Sequence, residues 1–234
     1  MRLRVKFTKT GPMRFISHLD IMRYFQKALR RADINVSLSE GFSPHMLMSF
    51  ALPLPLGMSS TGEYFDVDVK EAPSSDKIIR RLNEQMCENI KVLSVIKIPE
   101  DKANKCMSLV TGADYSVTLA DGKAFDEEIF ADGIKRFMAQ ENIMAVKKTK
   151  RNEALADIKP LIYGFSLSED MKTIYLRAGA GNAGHLRCEL VMGAFFEFLG
   201  IDEEKFCLNY QRDELLSGEP ENFVPLYIMG EEIC

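Results

Sequence analysis

The chain has 234 residues, of which 46% are hydrophobic and 27% are charged, and its formal net charge is −4. These values are ordinary for a globular protein, and they exclude the disordered, collagen-like and fibrous classes. The longest apolar run, residues 46–56, is interrupted by Pro53 and Pro55 and is too short to span a bilayer. Because no charged leader with an apolar signal stretch opens the chain, we expect a cytoplasmic protein without membrane association.

The five cysteines are spread along the chain, at positions 87, 106, 188, 207 and 234. Structural zinc sites and iron–sulfur cluster sites use cysteines at short spacing, and this sequence contains no such pair or triplet. Only three histidines are present to supplement them. We therefore expect no metal, no cofactor and no disulfide framework, and we expect most of the thiols to be reduced.

Positive charge is concentrated near the amino terminus. Residues 1–50 contain nine Lys and Arg residues against three acidic residues, a balance of +6, so the rest of the chain carries −10. This uneven distribution suggests that one face of the protein meets a polyanion or an acidic partner. The alternative is a solvated basic helix on an otherwise acidic protein.

The first predicted element is a strand over residues 2–9, where apolar and basic residues alternate. A period of two is typical of a half-buried strand, and here it predicts a cationic outer face formed by Arg2, Arg4 and Lys6. A Gly-Pro breaker follows at Gly11, which ends the strand before the next element.

The next element is an amphipathic helix. Ser17 is its predicted N-cap, Asp20 completes a capping-box pattern, and the helix is expected to run to about Ala32. Its predicted core stripe consists of Met22, Phe25, Leu29 and Ala32. Its opposite side carries four basic residues, Arg23, Lys27, Arg30 and Arg31.

The rest of this half begins with an extended segment over residues 34–38 and a loop over 39–44. A hairpin of two strands follows, over 46–54 and 63–69, and then a helix over 76–88 and a strand over 89–98. The resulting order is strand, helix, strand, strand, helix, strand. It predicts a ferredoxin-like domain over residues 1–99, in which two helices cover one face of an antiparallel sheet.

A polar connector over residues 99–112 is the expected domain boundary. A second series of strands and helices follows, with strands over 115–119, 143–148, 161–167, 173–177 and 206–210 and helices over 125–138 and 186–199. The predicted fold is therefore α+β, with two tandem ferredoxin-like halves and antiparallel sheets, the second half spanning residues 113–216. This second half has one strand more than a strict copy of the first half would have. Residues 217–234 are expected to form an acidic tail that lies along the surface and is held there by its apolar residues, Phe223, Leu226, Tyr227 and Ile228.

Gly179, Gly181 and Gly184 match a G-x-G-x-x-G pattern between a predicted strand and a predicted helix. Such a loop lets backbone N–H groups approach a phosphate at a helix N-terminus. The form of this loop that binds dinucleotides also needs an acidic residue at the end of a further strand, whereas here acidic residues follow the helix directly. We interpret these glycines as a candidate anion-contacting loop.

His18 is the one candidate catalytic residue. It lies in the first turn of the first helix, near Tyr24 and Arg14 in sequence, and such a set could cleave RNA by general acid–base catalysis on the 2′-hydroxyl. The spacing dictates no second acid–base partner, and no Ser-His-Asp or Cys-His triad can be assembled. A surface or hydrogen-bonded role for His18 stays open, and the sequence favours a protein that is not an enzyme.

The basic residues of the first half favour RNA binding. The candidate phosphate contacts are Arg2, Arg4, Lys6, Arg14, Arg23, Lys27, Arg30 and Arg31. In the loop after the first helix, Phe42 could stack on a base and His45 could donate a hydrogen bond. The alternative is that Phe42 packs into the core. A second basic run, residues 147–151, could extend the interface.

Four stretches of the chain carry a family resemblance. They are RLRVKFTKTGPMRFISHLDIMRYFQKALRRADI, SEGFSPHMLMSFALPLPLGMSSTGEYFDV, DIKPLIYGF and GNAGHLRCELV. Together they resemble the bacterial radical-SAM-linked domain of unknown function. The resemblance implies partnership with a radical-SAM protein and a place in RNA modification or processing. A more distant similarity is to the CRISPR repeat-RNA endoribonucleases, which have tandem ferredoxin-like domains, although here the glycine loop precedes the last long helix.

From these observations we predict a non-catalytic adaptor that binds RNA, such as tRNA, and docks a separate radical-SAM enzyme. One alternative is a metal-independent ribonuclease that uses His18. The other is a protein-interaction module whose basic face meets an acidic surface of the radical-SAM partner.

Overall fold

The alternating segment at the start of the chain forms strand β1 (Arg2–Lys9), which lies between two antiparallel neighbours in the computed structural model. The structure describes residues 1–148, 153–181 and 184–234, apart from the side chains of Lys148 and Glu204. It divides into two compact units, the first made of residues 1–111 and 212–234 and the second of residues 112–211.

The first unit contains four strands and three helices before the boundary. They are β1, α1 (His18–Arg31), β2 (Met48–Phe50), β3 (Ser59–Asp68), α2 (Ser75–Asn83), β4 (Val92–Ile98) and α3 (Cys106–Leu109). The strand order is β4-β1-β3-β2, and all neighbours are antiparallel. Helices α1 and α2 bury Phe25 and Ile78 against one face of this sheet, where β1 contributes Leu3, Val5 and Phe7.

The predicted start of α1 is confirmed. The Ser17 hydroxyl oxygen accepts a hydrogen bond from the Asp20 backbone N–H at 3.2 Å, and the same hydroxyl donates to the Asp20 carboxylate at 2.7 Å. Helix α2 ends earlier than predicted, because the Asn83 side chain bonds both the N–H and the carbonyl of Val92 and so ties the helix end to β4.

Two predicted extended segments are shorter in the structure. Residues 34–38 form isolated bridges through Val36 and Leu38 instead of a strand. The predicted strand over 46–54 is reduced to β2, because the chain bends directly after Phe50 and Pro53 has no N–H to donate to a sheet.

The second unit contains β5 (Gly112–Leu119), α4 (Glu127–Ala139), β6 (Met144–Lys148), β7 (Glu153–Asp157), β8 (Ile162–Leu167), β9 (Thr173–Gly179), α5 (Cys188–Leu199) and the first residues of β10 (Leu208–Ser217). Its antiparallel order is β5-β9-β8, while β6 and β7 pair separately. Phe195 of α5 packs against Phe137 of α4 and Phe165 of β8. Strand β7 was not predicted, because its side chains are exposed or half-buried and show no alternation.

The carboxyl-terminal segment groups with the first unit, which differs from the predicted division into a second domain to residue 216 and a separate tail. Within that unit Arg212 pairs with Glu63, and Ile233 exchanges hydrogen bonds with Ser75. Residues 224–225 form the short strand β11 beside the end of β10. The fold is thus mixed α+β and mostly antiparallel, with five α-helices in the described part of the chain. Every helix there is too short or too polar to cross a membrane.

Candidate nucleic-acid interface

The outer face of α1 presents four cationic side chains. Arg23, Lys27, Arg30 and Arg31 are all exposed, while Phe25 on the opposite side of the helix is fully buried. Arg23 forms an ion pair with Asp20 at 3.5 Å, but both side chains are more than half exposed, at 69% and 58%. Water and salt screen such a pair strongly, so it leaves the charge of Arg23 available to a ligand.

Helix α2 extends this cationic face, which the sequence analysis did not anticipate. The Arg31 guanidinium donates to the Gln85 carbonyl at 3.3 Å, and the Tyr24 hydroxyl accepts a hydrogen bond from the Cys87 N–H at 2.7 Å, so the segment directly after α2 lies beside α1. Lys77 and Arg80 of α2 are exposed. Acidic residues interrupt this extension, namely Asp76, Glu84 and Glu88. The densest positive charge therefore stays on α1.

The loop after α1 holds an aromatic side chain in solvent. The Ser39 hydroxyl bonds both the backbone N–H of His45, at 3.1 Å, and its ring Nδ1, at 2.8 Å, which closes the loop at its base. Phe42 lies at the tip and is fully exposed. The alternative that Phe42 packs into the core is wrong, because its side chain lies entirely in solvent.

The prediction of a cationic outer face on β1 is wrong. Arg2 contacts Asp68 at 2.7 Å and Arg4 contacts Asp66 at 2.9 Å, because β1 and β3 pair in a register that sets these residues opposite each other. Both members of the Arg4 pair are at most 2% exposed. Residues 100–106 and the carboxyl-terminal segment cover this face, and the Asn104 carbonyl accepts a hydrogen bond from Arg4 at 2.6 Å.

Lys6 is engaged on the same face. Its ammonium contacts the Glu214 carboxylate at 2.5 Å and lies 4.5 Å from the centre of the Tyr227 ring. The other Glu214 oxygen accepts a hydrogen bond from the Tyr64 hydroxyl at 2.5 Å. Burial and the Glu214 charge raise the pKa of Tyr64, so this hydroxyl remains a donor. Lys6 is therefore a largely shielded structural cation, with its side chain 15% exposed.

One signal in the sequence could have revealed these pairs. Strand β3 places Tyr64, Asp66 and Asp68 at every second position, which is the same period as that of the basic residues of β1. Opposite charges that share a period of two on neighbouring strands form cross-strand pairs. The alternation within β1 by itself could not show that the partner strand neutralises its charges.

Two other candidates are placed differently from expectation. Arg14 lies in a short 3₁₀ turn with its guanidinium 4.8 Å from the centre of the Phe15 ring. The Tyr24 hydroxyl, which the catalytic hypothesis would pair with His18, accepts a hydrogen bond from the Cys87 backbone N–H. His18 instead contacts Phe50 edge to face at 5.3 Å.

His18 lines a small cavity of about 10 Å³ together with Lys9 and Glu63, two residues that the sequence analysis did not select. Burial lowers the pKa of His18 below its ordinary value; the Glu63 carboxylate opposes this shift and the Lys9 charge adds to it. The imidazole is therefore neutral at neutral pH. In the described ranges, no group of three or more His, Cys, Asp and Glu side chains could hold a metal ion.

The glycine pattern has a packing role in the second unit. A Cβ at Gly179 or Gly184 would come within 3.0 or 2.7 Å of the Leu161 side chain. Helix α5 begins only at Cys188, so the loop does not lead directly into a helix N-terminus. Gly181 has a φ of +77°, which favours glycine. Residues 182–183 of this loop, and residues 149–151 of the second basic run, lie outside the described residues.

A family described as "Uncharacterized protein conserved in bacteria (DUF2344)" matches residues 2–188. The match includes the whole helix and loop region that carries the cationic face, and it extends to the start of α5. A search of curated proteins gives no match. Since the family match covers most of the sequence, the chain belongs to this family of uncharacterised bacterial proteins.

Proposed function

We propose that the chain is a non-catalytic RNA-binding adaptor that uses the exposed face of α1. The observation that carries this proposal is the exposure of Arg23, Lys27, Arg30 and Arg31 on one side of one helix. Phe25 and Leu29 anchor the helix in the core, so the four charges need little ordering when they meet phosphates. Residues spaced by one turn are about 5.4 Å apart along the helix axis, which lets several of them contact one strand.

The exposed Phe42 supports RNA rather than an undefined polyanion. Single-stranded RNA is bound by stacking of unpaired bases on aromatic side chains. A fully exposed aromatic ring at a loop tip is available for such stacking, and the loop follows α1 in the same unit. The acidic remainder of the chain repels RNA and so favours approach to this face.

For the fold, we propose two ferredoxin-like halves. In the first unit this is supported by the strand order β4-β1-β3-β2 and by two helices that pack on one face. In the second unit it is supported by three antiparallel strands and two long helices, with β6 and β7 as a departure.

For the partner, we propose a separate radical-SAM enzyme that carries out RNA modification or processing. The support is the resemblance carried by residues 2–34 and 39–67, the segments that contain α1 and the Phe42 loop. The adaptor would hold the RNA while the partner supplies the iron–sulfur chemistry.

The proposal is tested with the double variant Arg23→Glu with Lys27→Glu. We expect it to bind tRNA at least tenfold more weakly than the wild type, and the slope of log K against log salt to fall by about 2, because two phosphate contacts are lost. Fluorescence anisotropy over a range of salt concentrations measures both quantities. The matched control is Lys135→Glu with Lys172→Glu, which makes the same charge change at exposed positions of the second unit.

Equal affinity of the two double variants contradicts RNA binding through α1. The same samples separate the alternatives. If the wild type cleaves the RNA in the presence of a chelator and the His18→Ala variant does not, the metal-independent ribonuclease is favoured. The radical-SAM protein could co-purify with the wild type from nuclease-treated lysate but not with the α1 variant. If the wild type in addition shows no affinity for tRNA, the protein-interaction module is favoured.

A further inference from the structure

A second feature of the first unit lies at the amino-terminal end of α1. It is the small cavity whose polar lining consists of Lys9, His18 and Glu63, while its other walls are apolar. Its volume of about 10 Å³ is room for one water-sized particle. Any ligand of this cavity is therefore very small, and the charges around the cavity decide its chemistry.

Lys9 is the unusual member of this cavity. It is only 2% exposed, and in the described structure its ammonium has one hydrogen bond, to the Ile16 carbonyl at 2.8 Å. None of the ion pairs within the described residues includes Lys9. An ammonium has three donor hydrogens, and buried donors without acceptors are rare because their desolvation is costly. The described part of the chain therefore supplies no acceptor for the remaining hydrogens of Lys9.

The charges around Lys9 do not balance. The two that act on it belong to Glu63 and Arg212, whose side chains are also buried, at 3% and 0% exposure. Arg212 donates to both carboxylate oxygens of Glu63, at 2.7 and 2.6 Å, so these two residues neutralise each other. Two cations against one carboxylate leave one positive charge away from water. Burial lowers the pKa of Lys9, as it does for an ammonium that has no counter-ion.

His18 adds a hydrogen-bond donor to this cavity without adding charge. Burial lowers the pKa of its ring, so the imidazole is neutral at neutral pH, and a neutral imidazole keeps one N–H donor. The cavity is thus lined by two donors, Lys9 and His18, beside a carboxylate that Arg212 already engages.

We propose that this cavity binds a chloride ion, which accepts hydrogen bonds from the Lys9 ammonium and from the His18 ring. One monovalent anion balances the charge of +1 that the three buried groups leave. The ion would also join the end of β1, which carries Lys9, to the first residue of α1.

Size and charge together exclude the other small occupants. A water molecule fits the same volume, but it carries no charge and leaves the ammonium uncompensated. Phosphate, sulfate and carboxylates carry the right sign, but they have several heavy atoms and are too large for about 10 Å³. Their additional oxygens would also face the apolar walls, where they find no donors.

The test is titration of the full chain with sodium chloride, with sodium gluconate holding the ionic strength constant, followed by the line width of the chloride nuclear magnetic resonance signal. Exchange with a protein site broadens this line, and the excess width falls as the site saturates. Lys9→Met keeps the length of the side chain and removes its charge. We expect this variant to bind chloride at least about tenfold more weakly, because removing one partner of a buried charge pair costs more than this ratio. Lys135→Met, at an exposed position of α4, is the matched control and is expected to bind as the wild type does.

The absence of saturable broadening in the wild type, or equal chloride affinity of Lys9→Met and the wild type, would overturn the proposal. If Lys9→Met does not fold, crystals of the wild-type chain grown in sodium chloride give an independent measurement. At long X-ray wavelength chloride scatters anomalously and water does not. We expect an anomalous peak within hydrogen-bond distance of the Lys9 Nζ, and an ordered water without anomalous signal at that place would overturn the proposal.

Discussion

Arg4 and Asp66 form a doubly hydrogen-bonded ion pair that is almost completely buried. Taking two charges out of water is costly, and the structure offsets this with further hydrogen bonds. The Asn104 carbonyl accepts from Arg4, and the Asp66 carboxylate accepts from the Cys106 N–H at 2.7 Å. The pair therefore fixes the chain after β4 onto the sheet more than it adds net stability.

We predict that Arg4→Met lowers the free energy of unfolding by about 3–5 kcal/mol, because it leaves the Asp66 charge buried without a partner. The double variant with Asp66→Asn is expected to recover a large part of this loss, since asparagine removes the charge and still accepts from Cys106. Urea denaturation of the wild type and both variants measures these differences. A double variant as unstable as the single variant contradicts the argument.

These residues show where prediction from sequence reached its limit. The amphipathic period of β1 correctly identified a strand and its buried apolar face. It could not show whether water or protein lies against the polar face, because that depends on residues about 60 and 200 positions away along the chain. A charge pattern specifies what can be paired, and the tertiary structure selects the partner.

At the scale of elements, β3 and the carboxyl-terminal part of β10 approach each other closely at Gly62. A Cβ at this position would lie 2.4 Å from the Asp213 carbonyl oxygen and 2.6 Å from the Glu214 Cα. The Ser60 and Thr61 hydroxyls donate to the carbonyls of Arg212 and Asp213, which holds the two segments at this distance. Gly62 is thus required by backbone proximity rather than by its φ angle.

We predict that Gly62→Ala lowers the free energy of unfolding by about 1–3 kcal/mol, because neighbouring backbone has to move to admit the methyl group. Gly164→Ala is the matched strand control, since its nearest heavy atom would be the Arg177 Cβ at an ordinary 3.5 Å. Thermal or urea unfolding of both variants provides the comparison. Equal stability of the two variants would show that the segments separate without cost.

Elements with strong local signals were predicted well, and α1 is the clearest case. Its cap, its apolar stripe and its length all follow from interactions within 16 residues of one another. Strand β7 is the opposite case, because its exposed side chains carry no periodic signal and its pairing with β6 sets its conformation. Local sequence patterns thus predict helices better than they predict strand pairing.

At the scale of the whole molecule, the last residues of the chain complete the first unit. Leu226 is fully buried there, and the Glu231 backbone exchanges hydrogen bonds with Lys97 of β4 in both directions. The segment also carries Tyr227, which covers Lys6. The apolar residues of this acidic segment, which were predicted to hold it on the surface, determine where it binds.

We predict that a chain ending at Gly218 is less stable than the full chain by at least about 2 kcal/mol, the contribution of burying one leucine such as Leu226. The loss should appear in the unfolding of the first unit, followed by amide hydrogen exchange of β1 and β4. Removal of the exposed Cys234 alone is the control and should leave exchange unchanged. If β1 and β4 keep the same protection against amide hydrogen exchange in the chain that ends at Gly218, the carboxyl-terminal segment does not contribute to the stability of the first unit.

The sequence by itself determined the α+β class, the position and polarity of α1, and the concentration of positive charge in the first fifth of the chain. These features depend on periodicity and composition, which act over short distances along the chain. Only the tertiary structure decided which cations remain exposed, that Lys9 and His18 share a cavity, and that the carboxyl terminus joins the first unit. Each of these depends on contacts between distant residues, and no local pattern encodes the choice among partners.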